Sequence, residues 1–144
     1  MAAIETDAFF PHPPAAVWRA ITDPALLARW LMPNDFAARV DHRFTFRTAP
    51  VPGAGFDGVV HCEVLDLQPE TLLKISWRGG QGLNTTVTWR LTPEGRGTRL
   101  FLTHDGFDDA DPTQRLTMGI LGDGWRGRLR ARLEVVLNAA AEQG

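Results

Sequence analysis

Cysteine is nearly absent from this chain. Cys62 stands alone among 144 residues, which excludes an internal disulfide and a cysteine-ligated zinc cluster. Lysine is as scarce, with Lys74 the single example. The basic charge is therefore almost all arginine, which a coding bias explains as well as any function. A net charge of −2 is too small to suggest a nucleic-acid footprint. There is no apolar run of the roughly 18 residues that a transmembrane helix needs. The opening MAAIETDAFF carries Glu5 and Asp7 and no basic stretch, unlike a secretory signal. Internal repeats, charged tails and low-complexity tracts are also missing. These absences point to a cytoplasmic protein of one domain over residues 1–144, with no nucleic-acid partner and no membrane insertion.

Motifs for well-known chemistries are missing too. His12, His42, His61 and His104 are scattered, with no HxxxH or HxH pair, so a metal site is not expected. No GxSxG, P-loop or GxGxxG occurs, and Gly53, Gly55 and Gly58 belong to a loop rather than to a phosphate cradle ahead of a helix.

What the sequence does contain is pattern. From Asp111-Pro112 onward, Met118, Leu121, Trp125, Leu129, Leu133, Val136 and Ala140 recur at three- and four-residue steps, the apolar stripe of one long helix. A helix of roughly 30 residues is about 45 Å long and needs a broad apolar surface beneath it. The middle of the chain supplies that surface as alternating strands. Ile4 to Phe10 is a first strand, with Ile4, Thr6 and Ala8 facing in. Ala15 to Thr22 has helical spacing, with Val17, Trp18 and Ile21 on one side. Asp23-Pro24 starts a second short helix, Asp as cap and Pro at the first helical position; Pro33 ends it.

Five further strands follow. Val40–Thr48 sets His42, Phe44 and Phe46 on one face. Gly58–Leu67 sets Val60, Cys62 and Val64 together, and Leu72–Arg78 does the same for Leu73, Ile75 and Trp77. Asn84–Leu91 aligns Val87, Trp89 and Leu91, and Thr98–Asp105 aligns Leu100, Leu102 and His104. Gly79 to Gly82 reads as a turn. Consecutive strands with short connections imply an antiparallel sheet with one covered face. The expected architecture is α+β: a curved antiparallel sheet wrapped around a long C-terminal helix, with two short helices after the first strand.

Four segments in this order carry a family resemblance. They are PPAAVWRAITDPALLARWL at 13–31, GFDGVVHCEVLDLQPETLLKISW at 55–77, TVTWRLTPEGRGTRLFLTHDGF at 86–107, and GW at 124–125 ahead of a leucine-spaced helix. Together they resemble the START-like, helix-grip (SRPBCC) superfamily, and within it the family named for the activator of Hsp90 ATPase. The resemblance implies a sheet gripping the long helix around an internal cavity, and it does not imply one activity. Members include lipid carriers, polyketide cyclases, hormone-binding proteins and a co-chaperone domain. The co-chaperones carry an additional N-terminal Hsp90-binding domain, which is not expected of a chain that opens on its first strand.

On these strand and helix phases Trp30, Phe44, Phe46, Trp77, Trp89 and Trp125 project to one interior, as core or as the wall of a ligand pocket. His104 points inward and must find a hydrogen-bond partner; it is a satisfied core histidine or a ligand contact. Cys62 also points inward, as an inert small hydrophobe or a nucleophile. Arg126 and Arg130 fall on the solvent side of the C-terminal helix. Arg128 lies at the edge of the stripe and Arg132 about 20° from Trp125, so Arg132 snorkels to water, pairs with an acid of the sheet, or clamps an anionic group on a ligand. Gly119, Gly122, Gly124 and Gly127 suggest either a break near 122–124 or close approach of another backbone; with a break, Pro112 to Leu121 would form a flap over the cavity mouth.

The expected function is binding of a small hydrophobic or amphipathic molecule between sheet and C-terminal helix. Its site would be built from Trp30, Phe44, Phe46, Cys62, Trp77, Trp89, His104, Met118, Trp125, Leu129 and Arg132. No catalytic residue, metal or cofactor is assigned, and a homodimer is compatible with this reading. The alternatives are a cyclase or lyase using His104 with Arg132 or His42, and an Hsp90-related partner module using the outward-facing Phe101.

Overall fold

The computed structural model describes residues 2–79 and 82–143. Strand β1 (Ala2–Phe10) leads into two short helices, α1 (Pro14–Thr22) and α2 (Pro24–Trp30). Strands β2 (Arg43–Arg47), β3 (Val59–Gln68), β4 (Leu72–Trp77), β5 (Thr85–Glu94) and β6 (Gly97–Phe107) follow, and helices α3 (Pro112–Arg126) and α4 (Arg128–Gln143) complete the chain. The six strands form one antiparallel sheet in the order β1-β6-β5-β4-β3-β2. The expected α+β helix-grip architecture is the observed one. The turn expected at 79–82 lies partly outside the described residues.

Strand alternation builds the core directly. Phe44, Phe46, Val60, Val64, Leu73, Ile75, Trp77, Val87, Trp89, Leu102 and His104 are all buried on the covered face. A register shift between Val64 and Asp66 marks a bulge in the β3–β4 ladder, the usual device for bending a strand pair. β2 is shorter than expected: Asp41 takes φ 71° and interrupts the extended run ahead of Arg43.

The Asp23 cap forms as expected, and Asp111 provides a second one at the start of α3. The Asp23 carboxylate accepts from the Ala25 N–H at 2.9 Å, and Asp111 accepts from the Thr113 N–H at 2.9 Å. Each satisfies a backbone donor that has no partner within its helix. The Trp30 indole donates to the Ala20 carbonyl at 2.9 Å and fixes α2 against α1. On α1, Val17, Ala20 and Ile21 are the buried residues, whereas Trp18 is only half-buried.

The C-terminal segment is not one helix. It breaks at Gly127, with φ −113° and ψ −89°, and not near 122–124 as the sequence suggested. Gly122 instead lies inside α3 and is buried, where a Cβ would make ordinary contact with Ile4 at 3.8 Å and would crowd the Arg126 guanidinium at 3.0 Å. At Gly127 a Cβ would meet the Asp123 carbonyl oxygen at 3.1 Å. The bend sends α3 along β1 and β6 while α4 packs on α1 and α2. Leu129, Leu133, Val136 and Leu137 of α4 are buried.

Gly119 is exposed in mid-helix with nothing within 4 Å of an added Cβ. Gly119→Ala is therefore expected to stabilise the protein by up to about 1 kcal/mol. Gly127→Ala is expected to destabilise it. Urea unfolding checks both, and equal stabilisation by the two would mean that α3 and α4 run as one continuous helix.

Candidate functional site

The last turn of α3 is fastened to the sheet by a buried hydrogen-bond chain. The Trp125 indole N–H donates to His104 Nδ1 at 3.1 Å. His104 Nε2 lies 2.8 Å from Thr85 Oγ1, and the Thr85 hydroxyl donates to the Trp77 carbonyl at 2.9 Å. The direction of each bond follows from its neighbours. Indole can only donate, so Nδ1 is the acceptor and Nε2 carries the proton; Thr85 Oγ1 accepts that proton and passes its own to Trp77. Every donor in the chain has an acceptor, and His104 is neutral with both ring nitrogens committed.

His104 is fully buried, and burial pushes its pKa down to about 3. Protonation would also place a second donor against the Trp125 N–H. This is the satisfied core histidine of the two alternatives open in the sequence. It is unsuited to general-base work near neutral pH, because proton transfer needs a free nitrogen and a matched pKa. Its neighbour rings make edge contacts: Trp77 to Trp125 at 5.8 Å and 65°, and Trp89 to Trp125 at 6.0 Å and 83°. The aromatic series continues from Trp77 to Phe46 at 5.5 Å and on to Phe44 at 5.3 Å.

Beside this anchor lies a cavity of about 440 Å³. Trp77 and Val60 of the sheet form one wall, and Leu31, Met32, Val51 and Phe56 from the segments flanking β2 form a second. Leu83 closes one side. The facing wall comes from the helices: Gln114, Thr117, Ile120, Leu121, Gly124 and Trp125 of α3, then Arg128, Leu129 and Arg132 of α4. Gln114 ties this wall to the sheet edge, accepting from the Asp108 N–H at 2.7 Å and donating to the Gly82 carbonyl at 3.3 Å. Val51 and Ile120 are 51% and 63% exposed and form part of the rim.

Of the residues singled out from the sequence, Trp77, Trp125, Leu129 and Arg132 meet at this cavity. Trp30 and Trp89 instead line a separate void of about 40 Å³ with Phe10, Leu100, Leu102 and Leu133. Phe44, Phe46 and His104 are core residues away from the cavity lining, and Met118 is half-buried outside it. Cys62 is buried against the core, and burial pushes its thiol pKa well above the ordinary range, so it holds little thiolate. His42 does not reach the cavity: its Nε2 lies 3.0 Å from the Asp35 carbonyl and its ring stacks beside Phe44. The pairing of His104 with Arg132 or His42 at one cavity is thus not formed.

Arg132 differs from the reading that put it inside the apolar stripe. Its side chain is exposed at the rim, although Leu129, Leu133 and Val136 of the same stripe are buried. It makes no ion pair with any described residue. The wall residues Leu31, Met32, Val51, Phe56 and Leu83 lie in segments without periodicity, and only their apolar character in otherwise polar loops could have flagged them. Among the described residues no cluster of three or more His, Cys, Asp or Glu side chains forms that could hold a metal. No described helix is long and apolar enough to cross a membrane.

With that geometry in place, known proteins can be compared. The family described as Activator of Hsp90 ATPase homolog 1-like protein matches residues 11–138. Protein MLL2253 from Mesorhizobium loti is 34% identical and superposes with a TM-score of 0.83, over 96% of this chain and 98% of its own. CalU16 from Micromonospora echinospora is 23% identical, with a TM-score of 0.76 over 98% of this chain and 79% of its own. DynU16, a protein in the dynemicin biosynthetic locus, is 22% identical, with a TM-score of 0.76 over 96% of this chain and 48% of its own. The last two share the fold. No curated protein matches the chain.

The depressed pKa of His104 has a testable sign. The unfolded chain takes up a proton below about pH 6.5 while the folded protein resists until about pH 3. Stability is therefore lost as pH falls through this window, at about 1.4 kcal/mol per pH unit from this group. His104→Gln removes that dependence. In urea unfolding, the stability advantage of wild type over His104→Gln should shrink between pH 6 and pH 4, and a constant gap would contradict the assignment.

Proposed function

This chain belongs to the Activator of Hsp90 ATPase homolog 1-like family, and from that premise we propose that it binds a small hydrophobic or amphipathic molecule in the cavity between sheet and C-terminal helices, acting in the cytoplasm. The observation that carries the reading is the cavity itself. Its volume of about 440 Å³ falls within the roughly 300–1,000 Å³ typical of small-molecule sites. Its walls are mainly apolar, with Trp77 and Trp125 offering ring surface and a few polar groups set at the helix side. That composition suits a ligand held by apolar contact and oriented by few polar contacts.

Binding without chemistry is favoured over catalysis by the state of the candidate groups. His104 has no free nitrogen, the Cys62 thiol is held protonated, and no carboxylate or histidine is among the described lining residues. General acid–base work relies most often on a histidine or carboxylate set against the substrate, and this wall presents neither among the described residues.

Titration with the uncharged probe N-phenyl-1-naphthylamine tests the proposal. Saturable one-to-one binding, with energy transfer from tryptophan to the probe, is the expected result. Gly124 lines the cavity, and a Cβ there would point toward Leu129 Cδ1 at 3.9 Å. Gly124→Leu should fill the space and weaken the probe by roughly tenfold or more, about 1.4 kcal/mol, with the fold retained. Absence of saturable binding, or unchanged affinity in a folded Gly124→Leu, would sink the reading.

A further inference from the structure

We infer that the ligand is an amphipathic anion: an apolar body seated in the cavity and one carboxylate, phosphate or sulfonate group held at the mouth by Arg128 and Arg132. The inference rests on the binding function proposed above and adds the chemical class of what is bound.

Arg128 and Arg132 are the only charged residues among the described lining of the cavity, and no acid lines it. Neither guanidinium is ion-paired with any described residue. The two arginines are four residues apart on α4, so their side chains are neighbours on one helix face, where like charges repel. Arg128 also opens α4, and no acid stands in that first turn to offset the positive end of the helix dipole. The like charges at this one place all act against the free protein and in favour of a bound anion.

Hydrogen-bonding capacity points the same way. Gln114 commits its amide to Asp108 and Gly82, and the Thr117 hydroxyl donates to the Thr113 carbonyl at 2.9 Å. The Trp125 N–H is turned away toward His104. The arginines alone combine positive charge with several uncommitted N–H donors, and their planar forks match the oxygens of a carboxylate, phosphate or sulfonate. Leu129 lies between them in sequence and is buried beneath the same wall. An apolar body resting on Leu129 and Trp125 therefore places its head group within the reach of both side chains.

The test compares two probes with the same aryl body. 1-Anilinonaphthalene-8-sulfonate carries an anion and N-phenyl-1-naphthylamine does not. In Arg128→Gln/Arg132→Gln the sulfonate should bind on the order of tenfold more weakly, while the neutral probe keeps its affinity. Arg128→Lys/Arg132→Lys should recover part of the loss. Arg90→Gln/Arg96→Gln makes the same change of net charge at two exposed positions away from the cavity and should leave both probes unchanged. Raising ionic strength should weaken the sulfonate selectively, because the guanidinium groups are exposed to screening. Thermal unfolding of each variant verifies the fold. Equal loss of the sulfonate in the control pair, or no loss in the cavity pair, would overturn the inference while neutral-probe binding left the cavity reading standing. If neither probe bound the wild type, both would fall.

Discussion

The hydrogen bond from the Trp125 indole to His104 is the point on which the arrangement of helix and sheet depends. Apolar packing holds a helix on a sheet through the fit of its side chains, and a buried hydrogen bond adds a directional constraint. A buried donor cannot slide, since leaving it without an acceptor costs about 1–3 kcal/mol. Here the acceptor is itself fixed: His104 is oriented by Thr85, and Thr85 by the Trp77 carbonyl. The chain of bonds crosses from α3 to β6, β5 and β4 and sets the height at which α3 ends. Among the described residues no buried side-chain nitrogen or oxygen is left without a partner, so the network is complete as well as buried.

From this anchor follows the shape of the cavity. Trp77 and Trp125 meet edge to face at 5.8 Å, and both belong to the same hydrogen-bond chain, Trp77 through its backbone carbonyl and Trp125 through its indole. Immediately past Trp125 the helix bends at Gly127, and α4 leaves toward α1 and α2. Past the bend, Leu129, Leu133 and Val136 are buried while Arg128 and Arg132 stand exposed at the opening. An apolar floor and a positively charged rim thus lie side by side just beyond the anchored Trp125. The Gln114 bonds to Asp108 and Gly82 hold the other end of α3, so the helix wall is pinned at both ends.

Much of this was legible in the sequence, for reasons that differ by element. The period of two places side chains on a face without reference to the rest of the chain, and it located Val60, Trp77, Trp89 and His104 correctly on the covered side. The Asp23-Pro24 cap is local chemistry and was equally readable. Alternation does not say where along a sheet a residue sits, however. Trp77 lines the cavity and Trp89 lines a separate small void, although both face the same way. The pairing of β1 with β6 joins Phe10 to Thr98 across most of the chain and has no local signal. Four glycines point to a break without saying where: Gly122 and Gly124 lie inside α3, and only the turn toward α1 and α2 selects Gly127. Arg132 lies close to the stripe in helical phase, yet a long charged side chain at the margin of a stripe swings out to water. The wall formed by Leu31, Met32, Val51 and Phe56 was invisible for a simpler reason: loops have no period from which to read a direction.

The central claim is that His104 is a neutral, doubly engaged link between Trp125 and Thr85. Nitrogen-15 NMR of the imidazole at neutral pH tests it most directly. The account predicts a proton on Nε2, an unprotonated Nδ1 with an acceptor's chemical shift, and a Trp125 indole proton strongly protected from exchange. A proton on Nδ1, a ring that titrates near pH 6.5, or a Trp125 indole proton that exchanges at the rate of an exposed tryptophan would contradict it.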